Sequence, residues 1–179
     1  MQTKILLRAH TLKKHLLIIF SALLISEPTY ATECEDGLCR IFIISDLNSS
    51  YGSTSYAPEI KRAIDYIIHQ KPHLILSTGD HVAGQKRGLN YQSMWDSFHQ
   101  IVTSPFEKAG IPFLPSPGNH DASNGSAFKI ERKIYRQNFS SPPAGINMID
   151  SSDYPIKYAF ELGEALFISL DATNIFLKS

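Results

Sequence analysis

The chain has 179 residues, 43% of them apolar and 19% charged, and its 17 Lys plus Arg are balanced by 17 Asp plus Glu. One domain is the expectation at that length. Such a composition excludes a disordered polyelectrolyte, a collagen-like repeat and a coiled coil, and the balanced charge gives no signature of nucleic-acid binding.

The chain opens with a positive stretch (Lys4, Arg8, Lys13, Lys14) ahead of an apolar run over residues 16–25, interrupted only by Ser21. Glu27 and Pro28 end the run, and Thr29-Tyr30-Ala31 offers a small-x-small cleavage site. That layout predicts a signal peptide over residues 1–31 and export to the periplasm or the exterior. The run is shorter than the roughly 20 apolar residues of a membrane span, so no stable span is expected after cleavage. The alternative is an uncleaved anchor or a core helix. Thr32 and Glu33 ahead of Cys34 give no lipid-attachment pattern. Removing the leader takes away four basic residues and one acidic residue, which leaves a net charge of −3. Cys34 and Cys39 then stand just past the cut, and in an oxidising compartment a local disulfide is the simplest reading; two inert thiols are the alternative.

From there strand and helix patterns alternate. Residues 40–45 (RIFIIS) predict a buried strand. Ile60, Ala63, Ile64, Ile67 and Ile68 recur at helical spacing behind Pro58, which suits a first-turn position. Residues 73–78 (HLILST) predict a second strand. Residues 91–102 predict a helix with Met94, Trp95, Phe98 and Ile101 on one face. Residues 111–114 predict a third strand, and residues 127–138 a basic amphipathic helix. Residues 140–155 read as irregular. Residues 157–162 and 165–170 predict a hairpin turning at Gly163-Glu164.

Each of the first three strands runs into a polar loop: Ser45-Asp46-Leu47-Asn48, Gly79-Asp80-His81 and Pro117-Gly118-Asn119-His120-Asp121. Ligands of open α/β sheets bind at the carboxyl ends of the strands, so these loops would bring carboxylates, carboxamides and imidazole to one crevice. Oxygen donors with imidazole suit Mn, Fe, Zn or Mg rather than copper. Two such ions about 3.5–4 Å apart want a bridging carboxylate, and Asp80 in the middle loop is placed for it. The pair would acidify a bound water into a hydroxide nucleophile and neutralise phosphate charge. His120 could protonate the leaving oxygen.

Asp46-x-Asn48, Gly79-Asp80 and Gly118-Asn119-His120-Asp121, separated by 34 and 39 residues between Asp46, Asp80 and Asn119, resemble the opening half of the calcineurin-like metallophosphoesterase signature. The resemblance covers about residues 40–173. It implies an α/β fold, a four-layer αββα sandwich of mixed sheets flanked by helices, here truncated. It implies two divalent ions (Mn, Fe or Zn) at the strand ends and a phosphate-ester substrate. Asp46 and Asn48 would hold the first ion, Asp80 would bridge, and Asn119 would hold the second. Asn119 and His120 would contact the phosphate, and Asp121 would orient His120. Asp171, ending the last strand, is not expected to be a ligand.

Two departures stand out. Asn48 replaces the usual His, which weakens that position or shifts it toward harder ions. The later Gly-His and Gly-His-x-His of the family are missing, since His120 is the last histidine. The expectation is therefore a signal peptide followed by a domain over residues 32–179 that is incomplete at its C-terminus. It would be an exported phosphoesterase or, alternatively, an inactive remnant that binds an ion or phosphate. Other candidates have plainer readings. His81 is expected to line the cleft without ligating, His69 and His73 to be surface or capping residues, and His99 to sit on a solvated flank. Tyr51, Ser49, Ser50 and Lys86-Arg87 could meet substrate but read first as loop and solvated charge. Tyr91, Trp95 and Phe98 read as core.

Overall fold

The computed structural model describes Cys34 and residues 37–173. The predicted leader, residues 1–31, lies outside the described residues.

Three short apolar runs become a parallel sheet: β1 (Ile41–Ile44), β2 (Leu74–Ser77) and β3 (Phe113–Pro115), in that order across the sheet. Ile41 lies opposite Leu74 and Ile75 opposite Phe113. Parallel neighbours require crossovers. Helix α1 (Pro58–His69) supplies the first, with Pro58 in its opening turn. The second is α2 (Tyr91–Phe98), a π-turn (His99–Thr103) and α3 (Ser104–Lys108). The helix expected to stop near residue 102 thus continues through the π-turn, with Pro105 tolerated because it falls in the first turn of α3.

After α4 (Lys129–Asn138) the chain forms an antiparallel sheet of β4 (Asn147–Asp153), β5 (Lys157–Leu162) and β6 (Ala165–Ser169). The hairpin at Gly163-Glu164 is as expected, with Gly163 in the left-handed region at φ +59°. Strand β4 falls where an irregular segment was expected. Its pairing with β5 shifts register between Met148 and Asp150 and again before Asp153, so no alternation of apolar and polar residues survives in its sequence.

Period-two side-chain alternation makes β2 a two-sided wall. Ile75 faces the helices and packs with Ile64, Trp95, Phe98, Phe106 and Tyr135. Leu74, with Leu114, faces the second sheet and meets Tyr158, Phe160 and Leu162. The four α-helices among the described residues therefore cover one face of the parallel sheet, and the antiparallel sheet covers the other. The fold is α/β, with parallel and antiparallel sheets flanked by helices. Three of the four expected layers lie among the described residues. On the outer face of the second sheet Leu166 and Ile168 are 57% and 64% exposed.

The sheets are also joined by polar contacts. The Tyr158 hydroxyl donates to the Pro115 carbonyl at 3.0 Å, and the Ser116 and Ser169 hydroxyls meet at 2.7 Å. Cys34 and Cys39 are disulfide-bonded. Their sulfurs pack on the β5–β6 turn, where a Cβ on Gly163 would come within 3.0 Å of the Cys39 Sγ. No helix among the described residues is long and apolar enough to cross a membrane.

Candidate active site

The ladder of the parallel sheet runs on past its strands and delivers three loops to one edge. Thr78 N donates to Ile44 O at 3.0 Å, Asp46 N to Gly79 O at 3.3 Å and Ser116 N to Ser77 O at 2.7 Å. Beyond these bonds Asp46 and Asp80 both take the left-handed conformation, each at φ 53°. Such a conformation costs an L-residue on the order of 1 kcal/mol and collects at functional sites. Asp tolerates it better than most side chains.

Glycine permits the loops to touch backbone to backbone. A Cβ on Gly79 would lie 2.5 Å from the Gly118 Cα, and one on Gly118 would lie 2.1 Å from Asp80 N and 2.2 Å from Asp80 Oδ1. In that contact His120 N donates to Asp80 Oδ1 at 3.0 Å.

The outcome is a cavity of about 310 Å³ that Asp46, Asp80 and Asn119 line together, with Ser45, Thr78, Gly79, Pro117 and Gly118 between them. Ala172 and Thr173, which follow the last strand, form its remaining wall. Asn48 is not in this cavity. It lines an adjoining one of about 360 Å³ with Ser49, Ser50, Tyr51, Ala83 and His120. The Tyr51 and His120 rings lie 5.5 Å apart. His120 Nδ1 is buried with no hydrogen-bond partner. A third cavity of about 280 Å³, between His99, Glu107 and Phe139, lies away from these loops and gathers none of the three strand-end carboxylates and carboxamides.

Asp121 departs from its expected role. Its carboxylate does not reach for His120. Oδ1 accepts from Gly118 N at 2.8 Å, and Oδ2 accepts from His81 N at 2.7 Å and faces His81 Nδ1. His81 departs too. It is fully buried rather than lining the cleft, with Phe98 and Phe139 rings 5.0 and 5.5 Å away. Nothing local signals this burial, because a histidine next to an aspartate in a strand-end loop reads as part of the cleft. His99 is half-buried and bonded to Thr103 and Asn138 rather than solvated. His73 caps as expected, its Nδ1 accepting from Arg40 N at 2.9 Å.

Residues that the sequence did not single out support the loops from behind. Glu131 on α4 accepts at Oε1 from Gln85 N and from the Tyr91 hydroxyl, both at 2.5 Å. Gln85 in turn donates through Nε2 to Asn119 O at 2.6 Å. Burial pushes the Glu131 carboxyl above its usual range, against the pull of those two donors. Burial, reinforced by the charge of Asp121, likewise raises the Tyr56 hydroxyl, which stays protonated and donates to His81 O at 3.0 Å. Arg132 bridges to Asp171 at 2.8 Å and to the Thr173 hydroxyl at 2.6 Å, which fixes the far wall of the cavity.

Among the described residues no three His, Cys, Asp or Glu side chains gather closely enough to hold a metal ion. Counting the carboxamide changes the picture for one ion. Asp46, Asp80 and Asn119 offer only oxygen donors, two of them anionic, and the two carboxylates share a cavity without a cationic side chain on its lining. That set fits one hard divalent cation with positions left for water or phosphate oxygen. The set contains no imidazole, and Asn48 of the expected two-ion set is not part of it.

The family model for calcineurin-like phosphoesterases matches residues 39–171. The chain belongs to the calcineurin-like phosphoesterase family. The match spans both sheets and all three loops of the cavity. No curated protein matches the chain. Membership makes the chain a metallophosphoesterase-type domain, from a family that is divalent-metal dependent and acts on phosphate esters.

Proposed function

We propose that this calcineurin-like phosphoesterase is an exported enzyme that hydrolyses a phosphate ester at the cavity shared by Asp46, Asp80 and Asn119. The observation that carries the reading is the convergence of these three side chains, from loops far apart in sequence, on one cavity. Asp46, Asp80 and Asn119 would hold a divalent ion, while Asn48 lines a separate cavity with His120. When bound, such ions supply Lewis acidity, lowering the pKa of water and neutralising charge on phosphate. Asn119, being neutral, orients a phosphate oxygen without repelling it. His120 Nδ1 is buried, so Nε2 is the nitrogen that would give a proton to the leaving oxygen. Gly118, with no Cβ, leaves room for the backbone and carboxylate of Asp80. Export is supported by the leader pattern of residues 1–31 and by the Cys34–Cys39 disulfide, which suits an oxidising compartment.

The test is hydrolysis of bis(p-nitrophenyl) phosphate and p-nitrophenyl phosphate by the purified chain with added Mn²⁺ or Zn²⁺. Turnover should require the metal, stop with chelator and fall at least about a hundredfold in Asp80→Ala. Equal turnover in Asp80→Ala would end the assignment.

A second reading has its own support. Two carboxylates and two carboxamides, with no group of three His, Cys, Asp or Glu close enough to hold an ion among the described residues, suit a domain that binds an ion or phosphate without turning over. Saturable Mn²⁺ binding with no hydrolysis of either ester would favour it.

A further inference from the structure

We infer that His81 is a positioning residue, whose bond to Asp121 sets the spacing between the loop that carries Asp80 and the loop that carries Asn119. The inference rests on the cation site proposed above, since it is that site's donors that His81 would space. Asp121 is the tie: Oδ1 takes the Gly118 amide at 2.8 Å, and Oδ2 takes the His81 amide at 2.7 Å together with the His81 ring. One carboxylate thus grips the residue before Asn119 and the residue after Asp80. Among the described residues the hydrogen-bond partner of Nδ1 is a carboxylate oxygen, so Nδ1 carries the proton and donates. Both side chains are fully shielded from solvent. A buried charge-assisted bond of this kind is short, directional and costly to leave half-made.

The ring cannot swing away from its task. Trp95, Phe98, Tyr135 and Phe139 surround it within 5.9 Å between ring centres. Nε2 points into that surround with no hydrogen-bond partner. A histidine kept solely to fill an aromatic core would be better replaced by phenylalanine. What imidazole adds here is the Nδ1–H directed at Asp121. Asp80 Oδ1 then accepts from His120 N at 3.0 Å, so an error in loop spacing would pass straight to the proposed ligand.

The experiment compares the full chain with His81→Phe and His81→Asn. Phenylalanine keeps the ring and removes the donor; asparagine loses ring volume but offers an amide hydrogen near the place of Nδ1. The readout is Mn²⁺ affinity, followed by the loss of the free-ion electron paramagnetic resonance signal, alongside the thermal midpoint. We expect His81→Phe to bind Mn²⁺ about tenfold to a hundredfold more weakly. His81→Asn should recover to within a few-fold of the natural chain even though it is the less well packed. Unchanged affinity in His81→Phe would overturn the inference and leave the cation site standing. Affinities that simply follow the thermal midpoints would overturn it too, reducing His81 to packing. Absence of Mn²⁺ binding in the unsubstituted chain would remove the cation site and the positioning role together.

Discussion

Asp171 shows how a residue outside the motifs bears on the cavity. Burial works against its ionisation, yet the Arg132 guanidinium and the Thr173 hydroxyl and amide outweigh that, and its carboxyl sits below the usual range. A carboxyl depressed by folding contributes stability at pH values above its ordinary pKa of about 3.9 and loses it as pH falls through the folded value. Asp171→Asn should therefore destabilise the chain at pH 7, with the difference fading toward pH 3; urea midpoints of both proteins at the two pH values check this. At this scale the sequence was legible where chemistry is concentrated. Asp46, Asp80 and Asn119 declared themselves by residue type, and Asp80 and Asn119 also by the glycine before each. The partner of Asp121 did not, because nothing local distinguishes a histidine that turns inward to an aromatic core from one that faces water. Gln85, Glu131 and Arg132 stayed hidden for a similar reason: each sits in a stretch whose polarity reads as surface.

Among the elements, the two kinds of strand were unequally legible. Strands β1, β2 and β6 are runs of apolar residues, and burial on both faces of β2 keeps its run unbroken. Strand β4 (NMIDSSD) has its alternation broken by irregular pairing, so it read as loop. The helical segment from Tyr91 to Lys108 was recognised only for its first part. A π-turn shifts the periodicity by one residue, and a proline inside a helical pattern reads as a stop. The β5–β6 hairpin was legible from Gly163-Glu164 and the Cys34–Cys39 disulfide from its spacing, but the packing of one on the other was not. That ring closes only a short loop, for which chain entropy gives about 2 kcal/mol. Replacing Cys34 and Cys39 together by serine should lower stability by up to about that amount, measured by urea unfolding, and should loosen the hairpin amides first in hydrogen exchange.

At the scale of the molecule, the described residues cover the parallel sheet from two sides and the antiparallel sheet from one. Leu166, Ile168 and Leu170 alternate along β6 and its exit, 57%, 64% and 71% exposed. Aliphatic side chains lined up on an edge strand favour self-association. Ile168→Lys should suppress it, seen as lower light scattering at matched concentration, while leaving the far-UV circular dichroism unchanged. The same layering has a mechanical side. Asp46, Asp80 and Asn119 hang from the parallel sheet, whereas Thr173 reaches the cavity from the antiparallel one and is held there by Arg132 on α4. The hollow therefore straddles a seam. Any sliding of one layer across its neighbour changes the aperture directly, so whatever stiffens that seam also sets how large a guest the hollow admits.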